Sequence, residues 1–161
     1  MNNLDEAGKF VVFKIGDYFL ALPITAVVKA IDYPVENNEA IASAGLVQIG
    51  QHMLKLLDLH QISSDATSKT SKHAPFLVII QVKHNELYAI GVEEPPNLVE
   101  IPRDSIRALP HREHHVGLLE LVSHMAEISE AGQSFTVFLL DINRAAATTK
   151  SLAPRLIVKE N

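Results

Sequence analysis

The stretch Gly45–Leu59, GLVQIGQHMLKLLDL, decides how this chain folds. It reads as a β-hairpin. Leu46–Ile49 and Met53–Leu59 are apolar-rich runs. Gly50-Gln51 between them suits a two-residue type II′ turn, because Gly at the first central position supplies the positive φ. The second run ends in Leu56-Leu57-Asp58-Leu59, and a near copy, Leu139-Leu140-Asp141-Ile142, closes the second half of the chain.

On the N-terminal side, Phe10–Ile15 is β-branched and aromatic, as a strand should be. Gly16-Asp17 marks a turn and Tyr18–Leu22 the return strand. After Pro23, the residues Ile24, Val27, Val28 and Ile31 fall at i, i+3, i+4 and i+7. That spacing predicts one helical turn leading into an extended segment near Ile31–Val35, since two adjacent valines disfavour a longer helix. Glu36–Ser43 reads as polar and irregular.

On the C-terminal side, Gln61–Pro75 has no apolar face and reads as a mobile loop. Phe76–Ile80 then restarts the pattern, with a turn at Lys83–Glu86 and a return strand Leu87–Val92. Pro95-Pro96 breaks the ladder as Pro23 does. Leu98–Ile101, a loop Pro102–His115, a strand Leu118–Ile128, a turn at Glu130–Gln133 and a last strand Phe135–Ile142 complete the order. Asn143 reads as the N-cap of a short C-terminal helix that Pro154 stops.

The two halves run in the same order of strands and breaks, so the chain reads as an internal duplication of about five strands per half. The expected fold is all-β, two similar small barrels with a short C-terminal helix. The first half spans about 10–60 and the second about 76–147, joined by the mobile loop 61–75. Residues 1–9 and 148–161 form a flexible N-terminus and a tail.

Composition bounds the function. The chain has 161 residues, 47% hydrophobic and 20% charged, which is ordinary for a globular protein. Its net charge of −5 and lack of a basic patch argue against a barrel-type nucleic-acid binder. There is no Cys for disulfide or thiolate chemistry. The polar start Met1–Glu6 is no signal peptide, and no uncharged apolar run reaches the roughly 18 residues of a membrane helix. A soluble cytoplasmic protein without direct membrane insertion is expected.

Chemistry-bearing residues are sparse. The run His111-Arg112-Glu113-His114-His115 offers zinc-type donors, but its spacing is not HExxH, and an extended His114-His115 pair points its rings apart. It reads as a solvated loop; a small metal-binding protein or enzyme using His111, Glu113, His114 and His115 is the alternative. Asp58 and Asp141 sit at matched strand ends, where each is expected to accept backbone N–H bonds at a corner. Ser123 and His124 are neighbours facing different directions and give no triad. No Walker or Rossmann fingerprint is present. No catalysis and no cofactor are expected.

Four blocks, FVVFKIGDYFLALPITAVVKAI, GLVQIGQHMLKLLDL, FLVIIQVKHNELYAIGVEE with LVEIP after it, and FTVFLLDI, taken in this order, resemble the CheW-like family of bacterial chemotaxis adaptors over roughly Phe10 to Ala147. The resemblance implies two five-stranded SH3-like barrels without catalytic activity. It implies a stand-alone adaptor that couples the cytoplasmic tip of a chemoreceptor to the regulatory domain of a CheA-type histidine kinase. The family's receptor-binding cleft falls on Ile24, Val27, Leu77, Val78 and Leu98, and its partner-contact turn on Gln48, Ile49, Gly50 and Gln51. The chain departs from the family pattern there. Gly50 stands for an Arg, Gln51 for a Gly and Lys55 for a Pro, and Lys29 stands where an acidic residue is expected. These departures admit a scaffold of a type IV pilus, phototaxis or other two-component pathway with altered partners.

Overall fold

A computed structural model describes residues 8–34, 39–62, 74–110 and 117–147. Among the described residues, eleven strands carry the fold: β1 (Gly8–Ile15), β2 (Tyr18–Pro23), β3 (Val27–Asp32), β4 (Leu46–Ile49), β5 (His52–Leu57), β6 (Phe76–Val82), β7 (Glu86–Val92), β8 (Asn97–Ile101), β9 (Ile106–Ala108), β10 (Val122–Glu130) and β11 (Gln133–Leu140). Two short helices, α1 (Glu39–Ser43) and α2 (Leu59–Ile62), lie between them. The strands form two curled sheets of the kind expected for paired SH3-like barrels. One is six-stranded, in the order β8-β1-β2-β11-β10-β9; the other is five-stranded, in the order β3-β6-β7-β5-β4.

The duplication is present, but neither sheet is built from one half of the sequence. The five-stranded sheet is the unbroken run β3 to β7, and the six-stranded sheet takes β1-β2 from the start of the chain and β8 to β11 from the end. The hairpin of each half is therefore completed by strands of the other. The reason lies in β1 and β6, which are apolar at consecutive positions and so need cover on both faces. Phe10 and Val12 point into a cluster with Ala21, Ile101 and Val137 inside the six-stranded sheet. Leu77 and Ile79 do the same with Val47 and Ala89 inside the five-stranded one. Phe13, Ile15, Val78, Ile80 and Val82 meet in a third, central core shared by both sheets.

The Leu-Leu-Asp echo has a physical meaning in this arrangement. β5 and β11 each run parallel to the second strand of the other half's hairpin, with Leu56 opposite Ala89 and Leu139 opposite Ala21. Both alanines are fully buried, and the next leucines, Leu57 and Leu140, enter the central core. Each Asp then ends its strand before a helix, α2 after Asp58 and a helix over 142–147 after Asp141.

The Gly45–Leu59 hairpin forms as read. Ile49 pairs with His52, so Gly50-Gln51 is the two-residue turn. Gly50 has φ +63°, and Gln51 is not among the residues with positive φ, which is the type II′ pattern. The second strand ends earlier than expected, at Leu57, because Leu59 opens α2.

Several local expectations are corrected. Residues 39–43 are helical rather than irregular, and α2 takes Leu59 from the expected strand and Gln61–Ile62 from the expected loop. Extended structure resumes at Val27, directly after a 3-10 turn over Ile24–Ala26. The Pro102–Ala108 part of the expected loop holds a 3-10 turn over Arg103–Ser105 and β9. Pro95-Pro96 precedes β8 as Pro23 precedes β3, and these two strands pair with the first strands of the hairpins, β1 and β6; the local backbone at Pro23, however, is matched at Pro102. Pro23 and Pro102 precede 3-10 turns with nearly the same dihedrals, φ −60° and ψ 142° at Pro23 against φ −63° and ψ 136° at Pro102. Gly117–Leu121 is a 3-10 segment, so the strand expected from Leu118 begins at Val122. The cap of the last helix is Asp141, whose Oδ1 accepts from the backbone N–H groups of Asn143 (3.0 Å) and Arg144 (3.3 Å). The segments 1–7, 63–73 and 148–161 lie outside the described residues.

Candidate functional site

The central core comes to the surface along one line. Val11 in β1 stands opposite both Leu22 of β2 and Leu98 of β8, so the three side chains share the face turned toward the other sheet. Burial falls along this row. Leu22 is fully buried, Val11 half-buried and Leu98 59% exposed. The 3-10 turn over Ile24–Ala26 packs against both β1 and β6, which seats it at the junction of the sheets. Val27, opposite Ile80 of the central core, packs against that core from the rim. A register shift between Val27 and Lys29 leaves Val28 unpaired and 49% exposed, and Ile24 is 39% exposed. Ile24, Val28 and Leu98 are thus large apolar side chains at the edge of the inter-sheet core with substantial surface in water.

Of the five residues assigned to the cleft, Ile24, Val27 and Leu98 lie on this rim. Leu77 and Val78 do not: both are fully buried, Leu77 inside the five-stranded sheet and Val78 in the central core. β6 is covered on both faces, so neither offers surface to a partner in this structure. Val28 was missed because the helical spacing of Ile24, Val27, Val28 and Ile31 hides a bulge, which no periodicity marks.

The turn Gln48–Gln51 is a separate surface. Its strand, β4, is one edge of the five-stranded sheet, and β3, which carries Val27, is the other. The Gln48 Nε2 group donates to the Gly50 carbonyl oxygen at 3.3 Å and pins the turn. Gly50 and Gln51 are exposed, whereas Ile49 packs inward on the cluster of that sheet.

A buried polar group adjoins the crossover between sheets. His60 of α2 is only 6% exposed, with Nε2 3.5 Å from the carboxylate of Glu93 and Nδ1 4.0 Å from that of Asp58. Its Nε2 makes no hydrogen bond. Glu93 begins the segment that carries the chain from β7 to β8, so this contact ties α2 to the crossover. Burial, and then the nearby Asp58 carboxylate, raise the Tyr33 phenol above its usual 10.0.

Ser123 and His124 are brought together, contrary to expectation: a bulge at Ser123 turns the two side chains toward each other, and Ser123 Oγ lies 2.8 Å from His124 Nδ1. Among the described residues, no three His, Asp or Glu side chains gather as a metal site. The run His111–His115 lies outside the described residues. No helix of the described residues is long and apolar enough to cross a membrane.

The CheW-like domain profile matches residues 9–149, which spans both sheets. The chain belongs to the CheW-like domain family. It is a non-catalytic adaptor or scaffold of chemotaxis signalling. In fold it is similar to the scaffolding protein TtCheW from Thermoanaerobacter tengcongensis, with a TM-score of 0.60 and 17% identity over 83% of this chain and 84% of that one. No curated protein matches the sequence.

Proposed function

We propose that this CheW-like chain works in the cytoplasm, coupling the cytoplasmic tip of a chemoreceptor to the regulatory domain of a CheA-type histidine kinase. The observation that carries this reading is the exposed apolar rim of Ile24, Val28 and Leu98 over the inter-sheet core. Apolar anchors beside a groove are what an amphipathic helical element docks on. Two further features support two partners. Val27 and Val28 of the rim lie on β3 and the Gln48–Gln51 turn follows from β4, the two opposite edge strands of the five-stranded sheet. Both surfaces are exposed at their tips, at Ile24 and at Gly50.

The experiment is titration of the protein against a receptor-tip fragment and a kinase regulatory domain from the same genome. Ile24→Arg and Leu98→Arg should each weaken receptor binding by about tenfold or more, through the buried charge, and leave kinase binding intact. If neither partner binds the native chain, the proposal fails.

A second reading, a scaffold of a pilus, phototaxis or other two-component pathway, is favoured by where the family departures sit. Gly50 and Lys29 are both exposed, one on each proposed contact surface. Charge at such positions selects partners. Under that reading the wild type ignores the chemotaxis kinase, and Gly50→Arg with Lys29→Glu gains it.

A further inference from the structure

A pocket of about 100 Å³ opens on the six-stranded sheet, and neither the rim residues nor the Gln48–Gln51 turn lines it. Val12, Val99 and Val137 line its interior, and Phe19 and Phe135 form one wall, with ring centroids 5.5 Å apart at an interplanar angle of 70°. Ile128 stands opposite Phe135 across the β10–β11 ladder. Lys14, Glu94 and Glu130 also line it, and both Glu residues are exposed, which sets them at its mouth.

Comparison with the other sheet explains the pocket. Ala21 and Ala89 hold equivalent places, each facing the Leu of the parallel strand, and counting back from them sets Phe19 against Leu87. In the same way Ile128 and Phe135 correspond to Ile49 and His52. In the five-stranded sheet the hairpin turns immediately after Ile49 and His52. In the six-stranded sheet the ladder continues past Ile128 and Phe135 to Glu130 and Gln133. The longer hairpin and the two rings raise walls around the pocket.

Size and charge define what fits. An apolar cavity of about 150 Å³ holds a benzene molecule, so this one, open at its mouth, suits a group of about four to six carbons. The face of Phe19 already carries a cation, since the Lys14 ammonium lies 5.9 Å from the ring centroid. Two carboxylates, Glu94 and Glu130, share the pocket with that one ammonium. We propose that the pocket is a binding site for a small ligand that joins one aromatic ring, or a branched hydrocarbon of similar size, to a positively charged amine. The assignment is independent of the adaptor reading, because it uses none of the rim or turn residues.

The test is methyl-detected NMR of the full chain titrated with benzylamine, benzyl alcohol and benzoate. Saturable shifts are expected at the methyls of Val99, Ile128 and Val137, with benzylamine binding about tenfold more tightly than benzoate and the alcohol between them. Replacing both Glu94 and Glu130 by Gln should shrink that preference to about threefold or less. Lys14→Met, which removes the competing ammonium, should tighten benzylamine by about threefold. Ile128→Phe should fill the pocket and abolish the shifts; if it does not fold, Val99→Met serves the same purpose. The proposal is overturned if no probe saturates in the millimolar range, if benzoate binds as tightly as benzylamine, or if the shifts survive a folded pocket-filling variant.

Discussion

The two 3-10 turns share a backbone and differ in chemistry. Pro23-Ile24-Thr25-Ala26-Val27-Val28 and Pro102-Arg103-Asp104-Ser105-Ile106-Arg107 each run from a proline through one turn into a strand. The closing N–H reaches back to the carbonyl of Ile24 in one and of Arg103 in the other. In the first, the exposed positions include Ile24 and Val28; in the second, the residues at the same distance from the proline are Arg103 and Arg107. Neither set is needed to hold the turn, which the proline and the backbone bond already define. The charged copy is what a solvated surface ordinarily carries, so the apolar copy stands out as the one with a use for its exposed side chains.

Leu57 and Leu140 occupy equivalent places in one shared core. Leu57→Ala and Leu140→Ala should each cost about 3 kcal/mol, within about 1 kcal/mol of each other. Urea denaturation should show a single cooperative transition in both variants. Two transitions would mean that the sheets are independent and the shared core is not.

The hairpin turns offer a pair of changes with opposite signs. Gly50 has φ +63° with open space where a Cβ would stand, so Gly50→Ala costs only the positive φ, about 1 kcal/mol or more. At the tip of β10–β11, Ala131 already bears that cost at φ +55°, and Ala131→Gly should recover a similar amount. Thermal melts of the two variants should move in opposite directions. A loss at Ala131 would show that its methyl has a packing role.

The two Asp residues of the echo should separate. Asp141→Ala removes a cap that accepts two backbone N–H groups, and with it the contact to Arg144 Nε at 3.6 Å. A loss of about 1 kcal/mol is expected. Asp58 makes a 4.0 Å contact to His60 and lies near the Tyr33 phenol, with no cap of this kind, and Asp58→Ala should cost about half of that or less. Equal costs would restore a symmetry that the hydrogen bonds do not show.

The smallest effect concerns alkaline pH. Burial, then the Glu86 carboxylate and the hydrogen bond to it (3.2 Å), raise the Tyr88 phenol above 10.0. The folded state therefore holds this proton more tightly than the unfolded chain, so stability is full below pH 10.0 and declines as pH rises above it. The equivalent position in the other sheet is Leu20, which cannot titrate. Tyr88→Phe should make the decline above pH 10.0 shallower, as read by denaturant midpoints across that range.

Hairpins were the legible part of the fold, because each is written in adjacent residues: alternating apolar runs and a Gly turn. Gly50-Gln51 is the clearest case. The partition of strands between sheets was not legible, because the pairing of Phe19 with Val137 depends on residues almost a chain length apart. Both halves of β1 and β6 read as apolar, and nothing local tells which cluster each face joins. The same ambiguity hid the burial of Leu77 and Val78. At the candidate site, Ile24, Val27 and Leu98 were found through the family resemblance. Val28 needed the bulge, and His60 needed the crossover that brings Glu93 beside it.

The nesting of one sheet within the other also sets an order of events during synthesis. The run Val27–Val92 contains every strand of the five-stranded sheet, so that unit can close while the ribosome is still making the rest. The β1-β2 hairpin precedes that run, yet its parallel partner β11 is the last strand of the six-stranded sheet to emerge. Until then its apolar edge has no mate, and that edge is the segment most in need of a chaperone.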